Sequence, residues 1–286
     1  MKGRGRRALE ERIFKVLMAA SAVAVFGGLL LILGTVVIKS LPALRLSMIF
    51  QTPHGGYYLG REGGILNAIV GSLYLASGAT LLAVIFGLPI VLYLNLYTRK
   101  RTALAVFTRF SLDVLWGVPS IVYGAFGFIV MAALGLRASL LAGIIVVALL
   151  ELPIMTRAMD EVIQLVPHAM VDASASLGAT RLETALKVVV RQAMPGILTA
   201  VLIAFGRGIG DAASVLFTAG FTDSIPTSLL EPAATLPLAI FFQLGTPYPE
   251  VQQRAYASAA VLTLLILAIS LISRTLIRRI SKHSVK

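Results

Sequence analysis

A chain of 286 residues with 58% hydrophobic and 13% charged side chains and a mean hydropathy of +0.90 carries more apolar surface than a soluble domain can hide, since charged residues ordinarily make up about a quarter of such a domain. The net charge of +12 does not mark a nucleic-acid surface, because the Lys and Arg residues sit at the ends of apolar runs without interleaved aromatic residues. Cysteine is absent, which excludes disulfides and thiolate metal sites, and His54, His168 and His283 are far apart with no HExxH among them.

The N-terminal stretch MKGRGRRALEERIFK precedes an apolar run too long for a secretory leader. It reads as a cytoplasmic tail (residues 1–15) before a retained first span. Six runs approach the roughly 20 residues needed to cross a bilayer: Val16–Ile38, Asn67–Leu96, Phe110–Leu134, Ser139–Thr156, Gly196–Ala219 and Ala255–Ile277. Residues 16–277 are expected to form one membrane domain, followed by a tail, 278–286. Of the 25 Lys and Arg residues, 19 fall in the N-terminal tail, in Tyr97–Arg109, in Arg157–Pro195 and in the tail from Arg274. Lys39, Arg45, Arg61, Arg137 and Arg254 fall on the other side, so both termini are expected in the cytoplasm. The expectation is an all-α integral membrane protein with about six transmembrane helices.

Two loops stand out. Gly220–Gln253 holds Pro226, Pro232, Pro237, Pro247 and Pro249. Irregular backbone there is expected to dip into the membrane or to cover a cavity, since it is tolerated at that depth only when enclosed by protein or lining a cavity. In the cytoplasmic segment, PHAMVDASASLGATRLETALKVVVRQAMPG starts with small residues and is broken by Gly178. Thr180 and Glu183 then form a T-x-x-E capping box ahead of an apolar run. Helix, glycine turn, helix is the expected form, and its small-residue surface suits docking in a partner's groove.

No GxxxxGK[ST] phosphate cradle occurs, and the GxGxG at Gly206–Gly210 lies in an apolar run with no preceding strand, which favours helix packing over nucleotide binding. Arg207 falls near the middle of the fifth run, with Asp211 at i+4. On a continuous helix the two share a face. An arginine at that depth costs at least about 2.5–3.5 kcal/mol unless paired or hydrated. It is read either as half of a structural ion pair or as an anion-contacting group steadied by Asp211, and the second reading is preferred. Arg157, with Asp160 at i+3 and Glu161 at i+4, is either a snorkelling anchor or a second path residue. Glu151, one residue before Leu152-Pro153, is left open as kink partner, gate or pore residue. Asp113 reads as interfacial. Pro89, Pro119 and Pro153 interrupt spans, as in broken helices around a central cavity.

DASASLGAT…KVVVRQAMPGI resembles the EAA loop of the membrane subunits of binding-protein-dependent ABC importers. Asp172, Ala173 and Gly178 fill the first part, with Asp172 in place of Glu and Ser174 in place of the second alanine, and Val190-Arg191 stands where Leu-Pro is usual, with Pro195-Gly196-Ile197 following. Within that family the chain is similar to PstA-type phosphate permeases. EGGILNAIVGSL (Glu62–Leu73), TLPLAIFFQ and LPIMTRAMDEVIQLVP resemble stretches of theirs, with Asp160 at a glutamate position. FGRGIGDAASVLFTAG (Phe205–Gly220) keeps Arg207 and Gly210, with Asp211 for Glu and Ser214 for Pro. The likeness runs from Arg61 to the C-terminus.

The resemblance implies a type I ABC importer permease fold with a cytoplasmic coupling (EAA) helix in a loop of about 158–195, and no catalysis by this chain. It implies a substrate path at Arg207, Asp211, Arg157, Asp160 and Glu161, and ATPase coupling through Asp172, Ala173, Gly178, Thr180 and Glu183. It also implies a PstC-type partner permease, a dimer of PstB-type ATPases and a PstS-type phosphate-binding protein. It implies that this chain binds no cofactor, with ATP and Mg belonging to the partner ATPase. The EAA loop alone also fits importers of sulfate, molybdate or organic solutes, and an ATP-independent channel or carrier would lack such a docking loop.

Overall fold

The computed structural model describes residues 2–54, 62–98 and 102–281. Met1, residues 55–60, Arg61, Arg99, Lys100, Arg101 and residues 282–286 of the C-terminal tail lie outside the described residues.

α1 (Lys2–Ser40) is apolar around its whole circumference from Val16 to Ile38, and its most hydrophobic window is not buried at all by the rest of the chain. Such a helix is stable only with lipid or another protein around it. It meets the bundle through α11 (Pro249–Ser281), where the Lys39 ammonium lies 4.8 Å from the Tyr256 ring and 3.3 Å from its hydroxyl. A single turn, α2 (Leu46–Phe50), and a two-residue antiparallel ribbon, β1 (Pro53–His54) with β2 (Glu62–Gly63), connect α1 to α3. That ribbon is the one departure from an all-α chain among the described residues.

α3 (Leu66–Leu92) continues into a π-helical turn at Tyr93–Tyr97 and runs parallel to α6 (Leu140–Gln164). The pair forms the centre of the bundle. Gly78 faces the Ile144 side chain, and a Cβ on Gly87 would come within 2.7 Å of Thr156 Oγ1. Small residues let the two backbones close in, which is how helices associate where lipid offers no hydrophobic driving force. The same logic sets α9 (Val190–Gly210), whose buried Ala193, Ile197, Ala200, Ala204 and Gly208 recur every three or four residues.

Three expected spans are redrawn. Phe110–Leu134 is not one straight helix but falls in α4 (Ala103–Trp116) and α5 (Ser120–Ala133), bent by 99° to each other. The break falls at Gly117–Pro119, where proline disfavours helical backbone in the residue before it. The Tyr123 hydroxyl donates to Leu115 O across the bend at 2.8 Å. The fourth span continues two turns past Thr156 to Gln164, so Arg157, Asp160 and Glu161 are helical. The fifth begins at Arg181, as α8 (Arg181–Glu183) and a π-helical stretch feed α9, and ends at Gly210 instead of Ala219.

Residues 211–235 have no helix and lead into α10 (Leu236–Leu244). Ser214, Val215, Thr218, Ala219 and Ala233–Thr235 are buried against the bundle, whereas residues 227–232 are exposed. Thr218 O accepts from Ser139 N, Glu231 O from Leu140 N and Leu229 O from Leu141 N, and Leu236 N donates to the Ser72 hydroxyl at 2.8 Å. Counting the bent pair as one, up to six helical segments among the described residues are long and apolar enough to cross a bilayer.

Candidate functional site

The depth of Arg207 follows from its neighbours. Glu151 stands halfway along α6, a helix of about 37 Å, and its carboxyl accepts from the Thr80 hydroxyl, halfway along α3, at 2.8 Å. The backbone of Gly208 lies against the same carboxyl, since a Cβ there would collide with Glu151 Oε1. The end of α9 is therefore at the middle of the bundle, where the sequence placed Arg207, although Arg207 is in the last turn of its helix and not at its centre.

The expected partnership with Asp211 is not formed. The helix stops at Gly210 and Asp211 takes an extended backbone (φ −81°, ψ 125°), so the two do not share a helical face. The Asp211 carboxylate instead accepts from Ser214 N at 2.8 Å and fixes the first turn of the irregular segment. Among the described residues no carboxylate reaches Arg207 within ion-pairing distance. Its side chain is exposed on a stripe with Thr199, Ile203 and Gly210, opposite the buried alanines. Tyr123 of α5 is within electrostatic reach, and α5 crosses the following segment closely, since a Cβ on Gly124 would stand 2.8 Å from Ala213 O and Ser214 O.

Arg157 is in the opposite situation. Asp160, with its side chain 1% exposed, accepts five hydrogen bonds from four residues. Arg109 Nε and Nη2 grip it at 2.8 and 3.1 Å, Asn95 Nδ2 donates at 2.7 Å, Gln164 Nε2 at 2.8 Å and Arg157 Nη1 at 3.4 Å. The two-point guanidinium–carboxylate contact is the strong form of such a pair. Arg157 Nε also lies 3.0 Å from Asp113 and 3.8 Å from the exposed Glu161. This hub ties the end of α3, α4 and α6 together at the basic end of the bundle. Arg157 and Asp160 are brought together as spaced, but Asn95, Arg109 and Asp113 come from other helices, and no spacing along one helix could have assigned them to the hub.

The segment between α6 and α9 has its expected form. α7 (His168–Ser176) exposes Asp172 and Ala173 and ends at Gly178, whose φ of +81° is a left-handed position. Gly178 N donates to Ala175 O and Ala179 N to Ser174 O. Thr180 and Glu183 make both halves of the capping box, with Thr180 N donating to Glu183 Oε2 at 3.0 Å and Glu183 N to Thr180 Oγ1 at 3.3 Å. Ser174, the departure from alanine, is buried and shares a hydrogen bond with Thr184 Oγ1 at 2.9 Å. Leu177 projects from the turn with 90% of its surface exposed.

Residues 79–284 match the family described as binding-protein-dependent transport system inner membrane component. The chain is 33% identical over 264 residues to the phosphate transport system permease protein PstA of Haemophilus influenzae, covering 91% of this chain and 92% of that one. It is 36% identical over 211 residues to PstA 1 of Mycobacterium tuberculosis, covering 73% and 69%. Among solved structures, a chain of the MetNI methionine ABC transporter in an inward-facing form superposes with a TM-score of 0.61 at 18% identity, over 76% of this chain and 95% of that one. A chain of a bacterial alginate ABC transporter, in complex with its pentasaccharide-bound periplasmic protein, gives 0.66 at 14% identity, over 98% and 99%. At those identities the structures speak for the fold, and that fold is the type I ABC importer permease. By the family match and by its relatives, the chain belongs to the inner-membrane components of binding-protein-dependent transport systems.

Proposed function

We propose that this chain is the PstA-type membrane subunit of an ATP-driven phosphate importer, working by alternating access. The observation that carries the reading is Arg207, a guanidinium at mid-bundle depth, exposed and without a carboxylate partner among the described residues. A charge there is costly and suits a residue that meets an anion in transit. Its planar fork matches phosphate oxygens. The resemblance to phosphate permeases over nine-tenths of the chain supports the choice of cargo.

Phosphate delivered by a PstS-type binding protein would enter between this subunit and a PstC-type partner, where the exposed face of α9 is presented. Asp211 anchors the segment beyond Arg207 and leaves the guanidinium uncompensated. Release then depends on the protein moving Arg207, since transport needs binding weak enough to leave. Arg157, Asp160 and Glu161 shape the cytoplasmic end of the path, with Asp160 as its brace. ATP and Mg bound by two PstB-type subunits would drive closure of the ATPase dimer. The exposed α7 and Leu177 would dock there, and the rigid turn at Gly178, Thr180 and Glu183 would pass the movement to α9. Both termini and the basic end lie in the cytoplasm by the distribution of Lys and Arg.

The test is cargo competition in the reconstituted four-component assembly. Unlabelled phosphate is expected to suppress uptake of radiolabelled phosphate, while sulfate and molybdate at the same concentration leave it unchanged. Equal suppression by sulfate contradicts the phosphate assignment.

A further inference from the structure

Glu151 takes no part in the ion-pair hub, yet it is a fully buried acid at the centre of α6. Its burial is complete within this one chain, so no assembly can expose it further without a change of conformation. Val147, Leu150 and Ile154 on the same helix are buried around it. Oε2 accepts from the Thr80 hydroxyl at 2.8 Å, whereas Oε1 has no hydrogen-bond partner among the described residues. No described Lys, Arg or His lies within ion-pairing distance. Oε1 touches the backbone of Gly208, in the last turn of α9. The last turn of a helix carries its negative end, and Gly208 O there accepts from Asp211 N at 3.3 Å.

An ionised carboxylate in that place would face apolar walls and a helix C-terminus with no cation to compensate it, the most expensive way to bury an acid. A neutral acid avoids that cost and gains a donor. With Thr80 holding Oε2, a proton placed on Oε1 would face α9.

We propose that Glu151 is a protonated positioning residue for Arg207, its Oε1 hydroxyl serving as donor to a main-chain carbonyl at the end of α9. The turn that carries the guanidinium is thereby seated at a defined depth while residues 211–235 leave the helix. Gly208 is required at the contact because any side chain would displace the carboxyl. This role rests on reading Arg207 as the anion contact.

The experiment uses the reconstituted assembly with its partner permease, ATPase and binding protein, and reads phosphate moved per ATP hydrolysed together with the infrared band of a protonated carboxyl. Glu151→Gln keeps the shape, the neutrality and a donor, and is expected to transport within about twofold of the natural protein; Glu151→Ala loses the donor and is expected to fall about tenfold. The protonated-carboxyl band is expected at neutral pH in the natural protein and absent from Glu151→Gln. A glutamine variant as impaired as the alanine variant, or no such band in the natural protein, overturns the proposal. Arg207→Gln is measured alongside: normal transport by that variant removes the anion-contact reading and with it the positioning role, while the band still reports separately on the proton of Glu151.

Discussion

Arg207 and Arg157 are both guanidiniums on bundle helices, but their surroundings make them different instruments. Arg157 is shared among Asp113, Asp160 and Glu161. Beside it, Asp160 is saturated by Asn95, Arg109 and Gln164 as well. An incoming anion would have to displace carboxylates that are already well placed. Arg207 has no carboxylate partner among the described residues and stands on an exposed stripe at the broken end of α9. Charge that is satisfied within the chain holds helices together, whereas charge left unsatisfied on an exposed face at membrane depth is available to a ligand.

The contrast breaks most readily at the hub. Asp160→Ala removes the acceptor for Arg109 and leaves a mostly buried guanidinium uncompensated, a loss of roughly 3 kcal/mol or more. The expected outcome is reduced yield and a lower unfolding temperature of the assembly in detergent, with Asp160→Asn milder. If Asp160→Ala unfolds normally while transport alone is lost, the hub meets the anion itself instead of bracing the helices, and the contrast with Arg207 fails.

A smaller effect is expected at the coupling turn. Gly178 has open space around the position of a Cβ, so Gly178→Ala meets no clash and costs only the left-handed backbone, about 1–2 kcal/mol. Its cost should appear as weakened stimulation of ATP hydrolysis by the loaded binding protein, with assembly intact. Unchanged stimulation would separate the turn from coupling.

The smallest effect is expected in the segment after α9. Thr227 N donates to Glu231 Oε2 at 2.7 Å, and this backbone hydrogen bond holds the Glu231 carboxyl below its ordinary range. A depressed folded-state value stabilises above the unfolded carboxylate range and is lost as pH falls through the folded value. Limited proteolysis between residues 222 and 235 should therefore quicken in acid, and Glu231→Gln should show the faster rate already at neutral pH. A pH-independent rate would remove the tether.

The legible parts of this fold are those written in local pattern. Apolar runs located the spans, and the capping box at Thr180 and Glu183 and the glycine stop at Gly178 took the expected form, because each depends on residues within one or two turns. Helix ends were less legible. Apolar composition continues from Gly210 through Val215 and Phe217 to Ala219, so hydropathy carried the fifth span past its end. The chain leaves the helix there because tertiary hydrogen bonds to the start of α6 take over. That difference also removed the Arg207–Asp211 face. Glu151 was visible as a charge in an apolar run, but its contacts with Thr80 on α3 and Gly208 on α9 join residues far apart in sequence.

The central claim is tested most directly by counting phosphate moved per ATP hydrolysed in reconstituted assemblies carrying Arg207→Gln or Arg207→Lys. The account predicts that the glutamine variant assembles and hydrolyses ATP but moves little phosphate, and that lysine, which keeps the charge without the fork, restores part of the transport. Transport by the glutamine variant equal to that of the natural protein would contradict it.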